Sequence, residues 1–370
     1  MVKRFFGVTA KTQSLRSHPL NLIRIMPAEG NMQRKITATF IILISFTFIL
    51  ASCRREGALE NRDTGQNLVI WTYDSFTSEW GPGPDVTRAF EEKTGINITW
   101  VSHNDAGSVV ARLLTERENA GADIILGLDQ NLAHRLTGSP LLEPYRPQGA
   151  ENILPELIID PEFRLTPMDY SFFAIVYDSA AIANPPESLE DLTHPRFARS
   201  LILIDPRTSS PGLGFFGWVR EVYGNGWLDY WRRLQPSILT ITEGWSSAYG
   251  LFTRGEAPMV LSYTTSPAYH LEYEDTDRFR AAIFSDGHSM QIEAAALLLN
   301  AVNKDNAKLF LDFMIGPDFQ NIIPLTNWMY PVIDIPLPES FRITSKSDRP
   351  IMNSPVSEAE LNEWAAIMMR

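Results

Sequence analysis

The sequence predicts an α/β protein with two lobes, and three observations support this. The chain has 370 residues, more than one hydrophobic core usually serves. From residue 68 onward, short β-rich apolar runs alternate with segments of helical spacing, which is typical of a mainly parallel sheet flanked by helices. Two long apolar segments, near 170–178 and 285–297, are candidates for strands that join the lobes.

Each lobe repeats the alternation of strands and helices. The first lobe is predicted to hold strands in LVIWTY (68–73), INITWV (96–101) and ADIILGL (122–128), with helices in PDVTRAFEEKTG (84–95) and SVVARLLTERENAG (108–121). The second is predicted to hold strands in MDYSFFAIVYD (168–178), LILIDP (201–206) and APMVLSYT (257–264). KDNAKLFLDFMIGPDFQN (304–321) has helical spacing with a glycine-proline stop.

We divide the chain into five regions on this basis. These are a signal sequence with a mis-set start (1–52), a polar tether (53–67), lobe 1 (68–172), lobe 2 (173–285), and a return crossing with C-terminal helices that pack on the lobes (286–370).

The single cysteine, Cys53, follows an uncharged run that begins at Ile36. LASC (50–53) resembles the lipobox of bacterial lipoproteins, in which cleavage leaves the cysteine as a lipidated N-terminus. An uncleaved membrane anchor is the alternative, because eighteen uncharged residues approach the length of a span. We expect a start at Met26 or Met32 and a periplasmic or extracytoplasmic protein, lipid-anchored to a membrane.

The charge balance bears on the class of ligand. The first 52 residues hold seven of the 32 basic residues and one of the 44 acidic residues, so the remainder carries a formal charge of −18. This argues against nucleic acid as a partner, because nucleic acid requires a basic face. It is compatible with a cationic ligand.

Motifs of catalysis are absent from the sequence. There is no phosphate-binding G-x-x-x-x-G-K-[ST] pattern, no G-x-S-x-G elbow, and no pair of histidines at i, i+4. We therefore predict no catalytic residue, no metal site and no cofactor, and expect that the protein is not an enzyme.

Two clusters of hydroxyls and a proline follow buried strands. We name them the first corner (residues 208–211, TSSP) and the second corner (residues 264–267, TTSP). In the first, Ser209 or Ser210 is placed as a helix N-cap, with Pro211 in the first turn. Helix starts carry unpaired N–H groups and partial positive charge, and ligands of open α/β sheets bind beyond the carboxyl ends of strands. We expect both corners to face one cleft.

Aromatic residues that we expect in glycine- or proline-rich loops are the second signal. They suggest a flat, cationic ligand held by stacking and cation–π contacts. Asp105, just before a helix, is either an N-cap or a partner for a positive charge. The aromatic residues are Trp80, Trp245, Tyr249, Tyr263, Tyr269, Trp328 and Tyr330.

The chain resembles the thiamine-binding periplasmic proteins that supply ABC importers. The matching stretches, in order, are YDSF with EWGPGP, ADIILGLDQNL, MDYSFFAIVYD, DPRTSSPGLG, EGWSSAYGLF, LSYTTSPAYH and NWMYPV. The resemblance implies a two-lobed type II periplasmic-binding-protein fold, each lobe a mainly parallel sheet flanked by helices, with the ligand cleft between the lobes. It also implies thiamine or thiamine phosphates as ligand, and an ABC permease with its ATPase as partners of a monomer.

The resemblance also implies which residues contact the ligand. Ala106 stands where relatives have a glycine after the aspartate. The implied contacts are Asp105, Ala106, Ser209, Ser210, Trp245, Tyr263, Thr264, Thr265 and Ser266, with Trp80, Tyr269 and Trp328 as walls.

Two alternatives stay open. A protein of the same fold could bind another cation, ferric ion or a polyamine; ferric ion requires a cluster of tyrosine, histidine and carboxylate ligands, and a polyamine requires several carboxylates. The other alternative is an enzyme acting on a thiamine-like molecule, for which neither Ser210 nor Ser266 has an obvious base in the sequence.

Overall fold

A computed structural model describes residues 65–136 and 139–369. The predicted signal sequence, Cys53 and most of the predicted tether lie outside these residues. No helix within the described ranges has both the length and the apolar content that crossing a membrane requires.

Twelve strands in the described part of the chain form one mixed sheet. They are β1 Asn67–Tyr73, β2 Asn97–His103, β3 Ile124–Asp129, β4 Leu142–Glu143, β5 Thr166–Asp178, β6 Leu201–Ile204, β7 Ile238–Thr242, β8 Met259–Tyr263, β9 Phe279–Ala282, β10 His288–Leu298, β11 Tyr330–Pro331 and β12 Pro350–Ile351.

The α-helices of the described residues lie mainly between these strands. They are α1 Asp74–Thr77, α2 Gly83–Thr94, α3 Ala106–Glu116, α4 Gln130–Ala133, α5 Ser210–Tyr223, α6 Trp227–Leu234, α7 Trp245–Thr253, α8 Pro267–Glu274, α9 Lys304–Met314, α10 Pro317–Gln320, α11 Ile323–Thr326 and α12 Glu358–Met368.

The strand order β2-β1-β3-β10-β5-β8-β6-β7 places a parallel group at each end of the sheet. At one end β1 is parallel to β2 and β3, and at the other β6 is parallel to β7 and β8. From here on, lobe 1 denotes only residues 67–133 and lobe 2 only residues 201–274; these narrower ranges leave out β5, which the predicted lobes of 68–172 and 173–285 divide between them. The predicted α/β architecture is confirmed, whereas the five region boundaries given above stay a prediction.

Strands β5 and β10 connect the two parallel groups. They are antiparallel to each other and buried along their whole length. The first part of β5 pairs with β10 and β11, and its second part pairs with β8 and β9. The two long apolar segments of the sequence are these strands, and their near-continuous apolar character reflects burial on both faces of the sheet.

Local sequence explains where several helices begin and end. Helix α2 has Pro84 in its first turn and ends at Gly95, whose φ of 73° is the left-handed conformation that glycine adopts at low cost. Helix α9 ends at Met314, and the short α10 begins at Pro317 after Gly316. The segment 304–321 is thus two helices with a break, where the sequence predicts one helix and a stop.

Candidate functional site

The first corner lies between β6 and α5 and contacts lobe 1. Ser209 precedes the helix, but its hydroxyl forms no capping bond. Instead, Ser209 Oγ donates to Asp105 Oδ2 at 2.8 Å, and the Ser210 N–H donates to Asp105 Oδ1 at 3.0 Å. All three residues are buried. Ser209 is thus the N-cap residue of α5, as the sequence predicts, while the Asp105 carboxylate from the other lobe accepts the hydrogen bond from the first N–H of the helix.

The environment of Asp105 is tightly packed. Burial raises the pKa of its carboxyl to about 6, although the hydrogen bonds from Ser210 and Ser209 act in the opposite direction. A Cβ at position 107 would lie 2.4 Å from the carbonyl oxygen of Thr208, so the approach of α3 to the first corner requires Gly107. Ala106, which lies between Asp105 and Gly107 in the sequence, is also buried.

A second set of contacts joins the lobes beside the first. Ser246 Oγ, in α7, donates to Asp74 Oδ1 of lobe 1 at 2.9 Å. The Trp80 ring of lobe 1 lies 6.4 Å from the Trp245 ring of lobe 2. The structure therefore brings Asp105, Trp80 and Trp245 to one junction between the lobes, with the lobes in contact.

The second corner is bonded differently, because its partners belong to lobe 2 and to β5. Ser266 Oγ lies 2.7 Å from Ser262 Oγ and accepts from the Tyr263 N–H, and Thr265 Oγ1 lies 2.9 Å from Ser171 Oγ. The Thr264 hydroxyl is buried without a hydrogen-bond partner. Of the three hydroxyls predicted here to contact ligand, the structure leaves that of Thr264 unpaired.

The Trp245 ring is held from two sides. Its indole Nε1 donates to Ser262 Oγ at 2.9 Å, and its ring stacks on Tyr249 with centroids 4.8 Å apart. The Tyr249 hydroxyl lies 2.9 Å from His270 Nε2, and His270 Nδ1 lies 2.8 Å from Glu274 Oε2. The second corner and this chain of side chains fix the orientation of Trp245, a candidate ligand contact.

The other aromatic residues fall into two groups. Tyr263 stacks on Phe173 of β5 at 5.4 Å. Tyr269, Tyr273 and Trp328 form an edge-to-face cluster with centroids 5.4–5.7 Å apart. Trp328 has a φ of 57°, a conformation that costs a bulky residue about 1 kcal/mol or more.

The expected loop placement of the aromatic residues is wrong for most of them. Trp80 and Trp328 lie outside helices and strands, whereas Trp245, Tyr249 and Tyr269 lie on helices and Tyr263 and Tyr330 lie on strands. Gly244 and Pro267 mark the starts of helices, and Pro331 ends a short strand, so glycine and proline here delimit regular elements as well as loops.

Three buried carboxylates near this junction are missed by the sequence reasoning. Asp129, Glu293 and Asp169 are direct cross-strand partners on β3, β10 and β5. Tyr73 donates to Glu293 Oε2 at 2.7 Å, and Asn327 Nδ2 donates to Asp169 Oδ2 at 2.7 Å. We name Asp129, Glu293 and Asp169 the carboxylate row. Each lies in a strand that is buried along its whole length, and an acidic residue in such a strand is the sequence signal for it.

The junction presents groups that can bind a ligand. In the described residues, no hydrogen bond joins a corner hydroxyl to a histidine, and the Ser209 hydroxyl donates to the Asp105 carboxylate. No group of three or more His, Cys, Asp or Glu in these ranges can hold a metal ion. What the junction offers is aromatic faces, hydroxyls and carboxylates, a set that suits a flat organic cation.

Comparison with known proteins identifies the family. Residues 119–351 match the family described as bacterial extracellular solute-binding protein. The chain is 44% identical over 310 residues to the thiamine-binding periplasmic protein of Brucella abortus, covering 82% of this chain and 92% of that protein. It is 40% identical over 308 residues to the protein of the same name from Escherichia coli, covering 82% and 94%.

A solved structure agrees with this assignment. The structure described as a periplasmic thiamin binding protein superposes with a TM-score of 0.79 at 40% identity and covers 82% of this chain and 96% of its own. The two-lobed periplasmic-binding-protein fold expected from the sequence is thereby confirmed. The chain belongs to the family of bacterial thiamine-binding periplasmic proteins.

Proposed function

We propose that this protein captures thiamine, or its phosphate esters, outside the cytoplasm and delivers it to an ABC import permease. The observation that carries the proposal is the junction at which Asp105, the first corner and the Trp80–Trp245 pair meet from opposite lobes. Thiamine has a permanently charged thiazolium ring and a flat aminopyrimidine. Aromatic faces and carboxylates bind such groups without reacting with them.

The proposed mechanism is closure of the two lobes on the ligand. Asp105 and Ser246 bond across the junction, whereas β5 and β10 connect the lobes covalently and act as the hinge. A ligand that contacts both lobes favours the closed form by its differential affinity for it. The permease then recognises the closed form. We expect no turnover of thiamine phosphates.

The cellular location and assembly complete the proposal. The names of the relatives support a periplasmic location. Lipidation of Cys53, which lies outside the described residues, would attach the protein to a membrane, and we expect a monomer. Mass analysis of the mature N-terminus tests the anchor: an unmodified Cys53 or an intact residue 1–52 segment would contradict it.

Calorimetry with thiamine, its monophosphate and its diphosphate tests the function. We expect a Kd below about 1 μM for at least one of them, which corresponds to about 8 kcal/mol. Leu309→Ala, a change at an exposed side chain of α9, is the control and leaves the affinity unchanged. Absence of binding to all three compounds overturns the proposal.

The carboxylate row favours a polyamine as the second candidate ligand. A polyamine requires several carboxylates, and Asp129, Glu293 and Asp169 supply three within the described residues. Spermidine in the same calorimetric series decides between the two. Tight binding of spermidine with none of thiamine would assign the protein to polyamines.

A further inference from the structure

The carboxylate row crosses the middle of the sheet on three adjacent strands. Glu293 of β10 is the direct partner of Asp129 on β3 and of Asp169 on β5. Direct partners in antiparallel strands point to the same face with Cβ atoms about 4.5–5.5 Å apart, and like charges in such pairs are destabilising. All three side chains are buried, with at most 6% of each residue exposed. Such an arrangement requires compensation by positive charge or by protons.

No basic side chain of the described residues provides that compensation. Arg, Lys and His form no ion pair with any member of the row in the ranges 65–136 and 139–369. Asp129 accepts from the Leu132 N–H, Asn131 and Gln291, all neutral donors. The row therefore has neutral partners only.

Two acceptors at the row are left unpaired. Asp169 Oδ1 and Gln291 Oε1 have no hydrogen-bond partner, and both residues are fully buried. A buried acceptor without a donor costs free energy, typically about 1–3 kcal/mol. These atoms would be satisfied by a ligand that brings donors or positive charge.

Protons compensate the row in part. Burial raises the pKa of Asp169 to about 7. Burial, and then the negative charge of Asp169, raise the pKa of Glu293 well above its ordinary value. The other titratable groups facing the pair are Tyr73 on β1, Asp129 on β3, Asp105 before α3 and Tyr263 on β8, and none of them carries a positive charge.

The row adjoins the candidate ligand residues. Gln291 Nε2 lies 3.2 Å from Asp129 Oδ2 and 3.4 Å from Ser210 Oγ of the first corner. Burial, and then the negative charges of the row and of Asp105, raise the pKa of the Tyr263 hydroxyl. Gln291 thus connects the row to the first corner.

We propose that the carboxylate row is the subsite that recognises the positive charge of the ligand. In this proposal the bound cation replaces one proton that is carried by either Asp169 or Glu293. The inference rests on the proposed function, because it identifies which part of an organic cation the row binds. Charge balances in the exchange: the cation enters, and one proton leaves to the buffer. A protonated pair that only stabilises the fold would release no proton when ligand binds.

Proton release measured by calorimetry tests the exchange. Thiamine is titrated into the full protein near neutral pH in phosphate and in Tris, whose heats of ionisation differ, so the difference in observed heat counts the protons released. We expect about one proton per thiamine bound. Thiamine binding with equal heats in both buffers overturns this inference and leaves the proposed function intact, whereas no thiamine binding in either buffer overturns the function.

Variants of the row test whether the proton released on thiamine binding comes from these carboxyl groups. Glu293→Gln keeps the shape and removes the charge; we expect loss of proton release and an affinity for thiamine lower by roughly tenfold or more. Leu309→Ala is the control, with release and affinity as in the unmodified protein. If Glu293→Gln does not fold, Asp169→Asn is measured in its place, with the same expected result. Unchanged release in the folded variant overturns the inference.

A last arm distinguishes an organic cation from a metal ion. Mg²⁺ and Ca²⁺ are titrated alone and in competition with thiamine. We expect neither to bind, in keeping with the lack of a metal-holding group among the described residues. Binding of either ion that displaces thiamine and is lost in Glu293→Gln would assign the row to a metal and overturn the inference.

Discussion

The two corners share the order strand, hydroxyls, proline, helix, but they bond to different parts of the molecule. The first corner is bonded to Asp105 of the opposite lobe. The second is bonded to Ser262 within its own lobe and to Ser171 on the crossing strand β5. On the proposed mechanism, separation of the lobes breaks the bonds of the first corner and leaves those of the second, so the same local sequence has a proposed role in closure in one place and in support in the other.

The electrostatic environment of the corners differs in the same way. The first corner has a buried carboxylate at a helix start, where partial positive charge favours an anion. The second corner has neutral hydroxyls that hold the Trp245 ring through Ser262. We therefore expect changes at the first corner to alter affinity and lobe closure. We expect changes at the second corner to alter the orientation of the Trp245 ring.

Removing the carboxylate that joins the lobes should have the largest effect. Asp105→Ala deletes the acceptor for Ser209 Oγ and the Ser210 N–H and leaves buried donors unpaired, a loss of about 3 kcal/mol. We expect thiamine affinity measured by calorimetry to fall by roughly 100-fold. Asp105→Asn, which keeps one acceptor oxygen, should lose less. Equal affinities of the alanine variant and the unmodified protein would show that the junction has no part in binding.

Removing the ring that the second corner supports should have the next largest effect. Trp245→Ala deletes a stacking and cation–π partner worth about 0.5–2 kcal/mol, and we expect thiamine and both its phosphates to bind roughly tenfold more weakly in calorimetry. Trp245→Phe keeps an aromatic face and loses only the bond to Ser262, so its loss should be smaller. An unchanged affinity of Trp245→Ala would remove this residue from the site.

The first corner should also respond to pH, whereas the second should not. The pKa of Asp105 is raised from 3.8 to about 6 by burial, so the folded protein binds this proton more tightly than the unfolded chain. The resulting stabilisation is fully present below about pH 4 and is lost as pH rises through about 6, at about 1.4 kcal/mol per pKa unit.

Melting temperatures at pH 5 and pH 7 measure this effect. We expect the unmodified protein to lose more stability over this interval than Asp105→Asn, which does not titrate. Ser266→Ala, at the second corner, is the matched control and should parallel the unmodified protein. Parallel curves for Asp105→Asn as well would contradict the assignment of the titration to Asp105.

Single hydroxyls should give the smallest differences and the sharpest comparison. Ser209→Ala removes one of the hydrogen bonds to Asp105, and we expect thiamine affinity to fall roughly threefold to tenfold with a small change in melting temperature. Ser266→Ala removes a bond inside lobe 2, and we expect the melting temperature to fall while affinity changes less. The reverse pattern would show that the two corners have exchanged roles.

Local features of the fold could be predicted from the sequence, and long-range pairing could not. Alternating patterns predict β1, α2 and β3 and the crossing strands β5 and β10, because burial on both faces produces apolar runs. Proline and glycine mark helix ends correctly at Pro211 and Gly95. Partners in three dimensions carry no local signal, so the sequence places Ser209 at the N-cap of α5 but does not show that its hydroxyl donates to Asp105.

The carboxylate row shows the same limit at the candidate site. Asp129, Asp169 and Glu293 lie in three separate segments, and only the register of β3, β10 and β5 aligns them. A one-residue change of register would direct Glu293 to the other face of the sheet. The row is therefore a property of strand pairing, which no single stretch of sequence contains.

Solution X-ray scattering with and without saturating thiamine tests most directly whether ligand draws the lobes together at Asp105 and the first corner. We predict that the radius of gyration of the unmodified protein falls on addition of thiamine, and that it falls less for Asp105→Ala at a thiamine concentration that saturates that variant. Superimposable curves for the unmodified protein, in a sample that calorimetry shows to be saturated, would contradict the account.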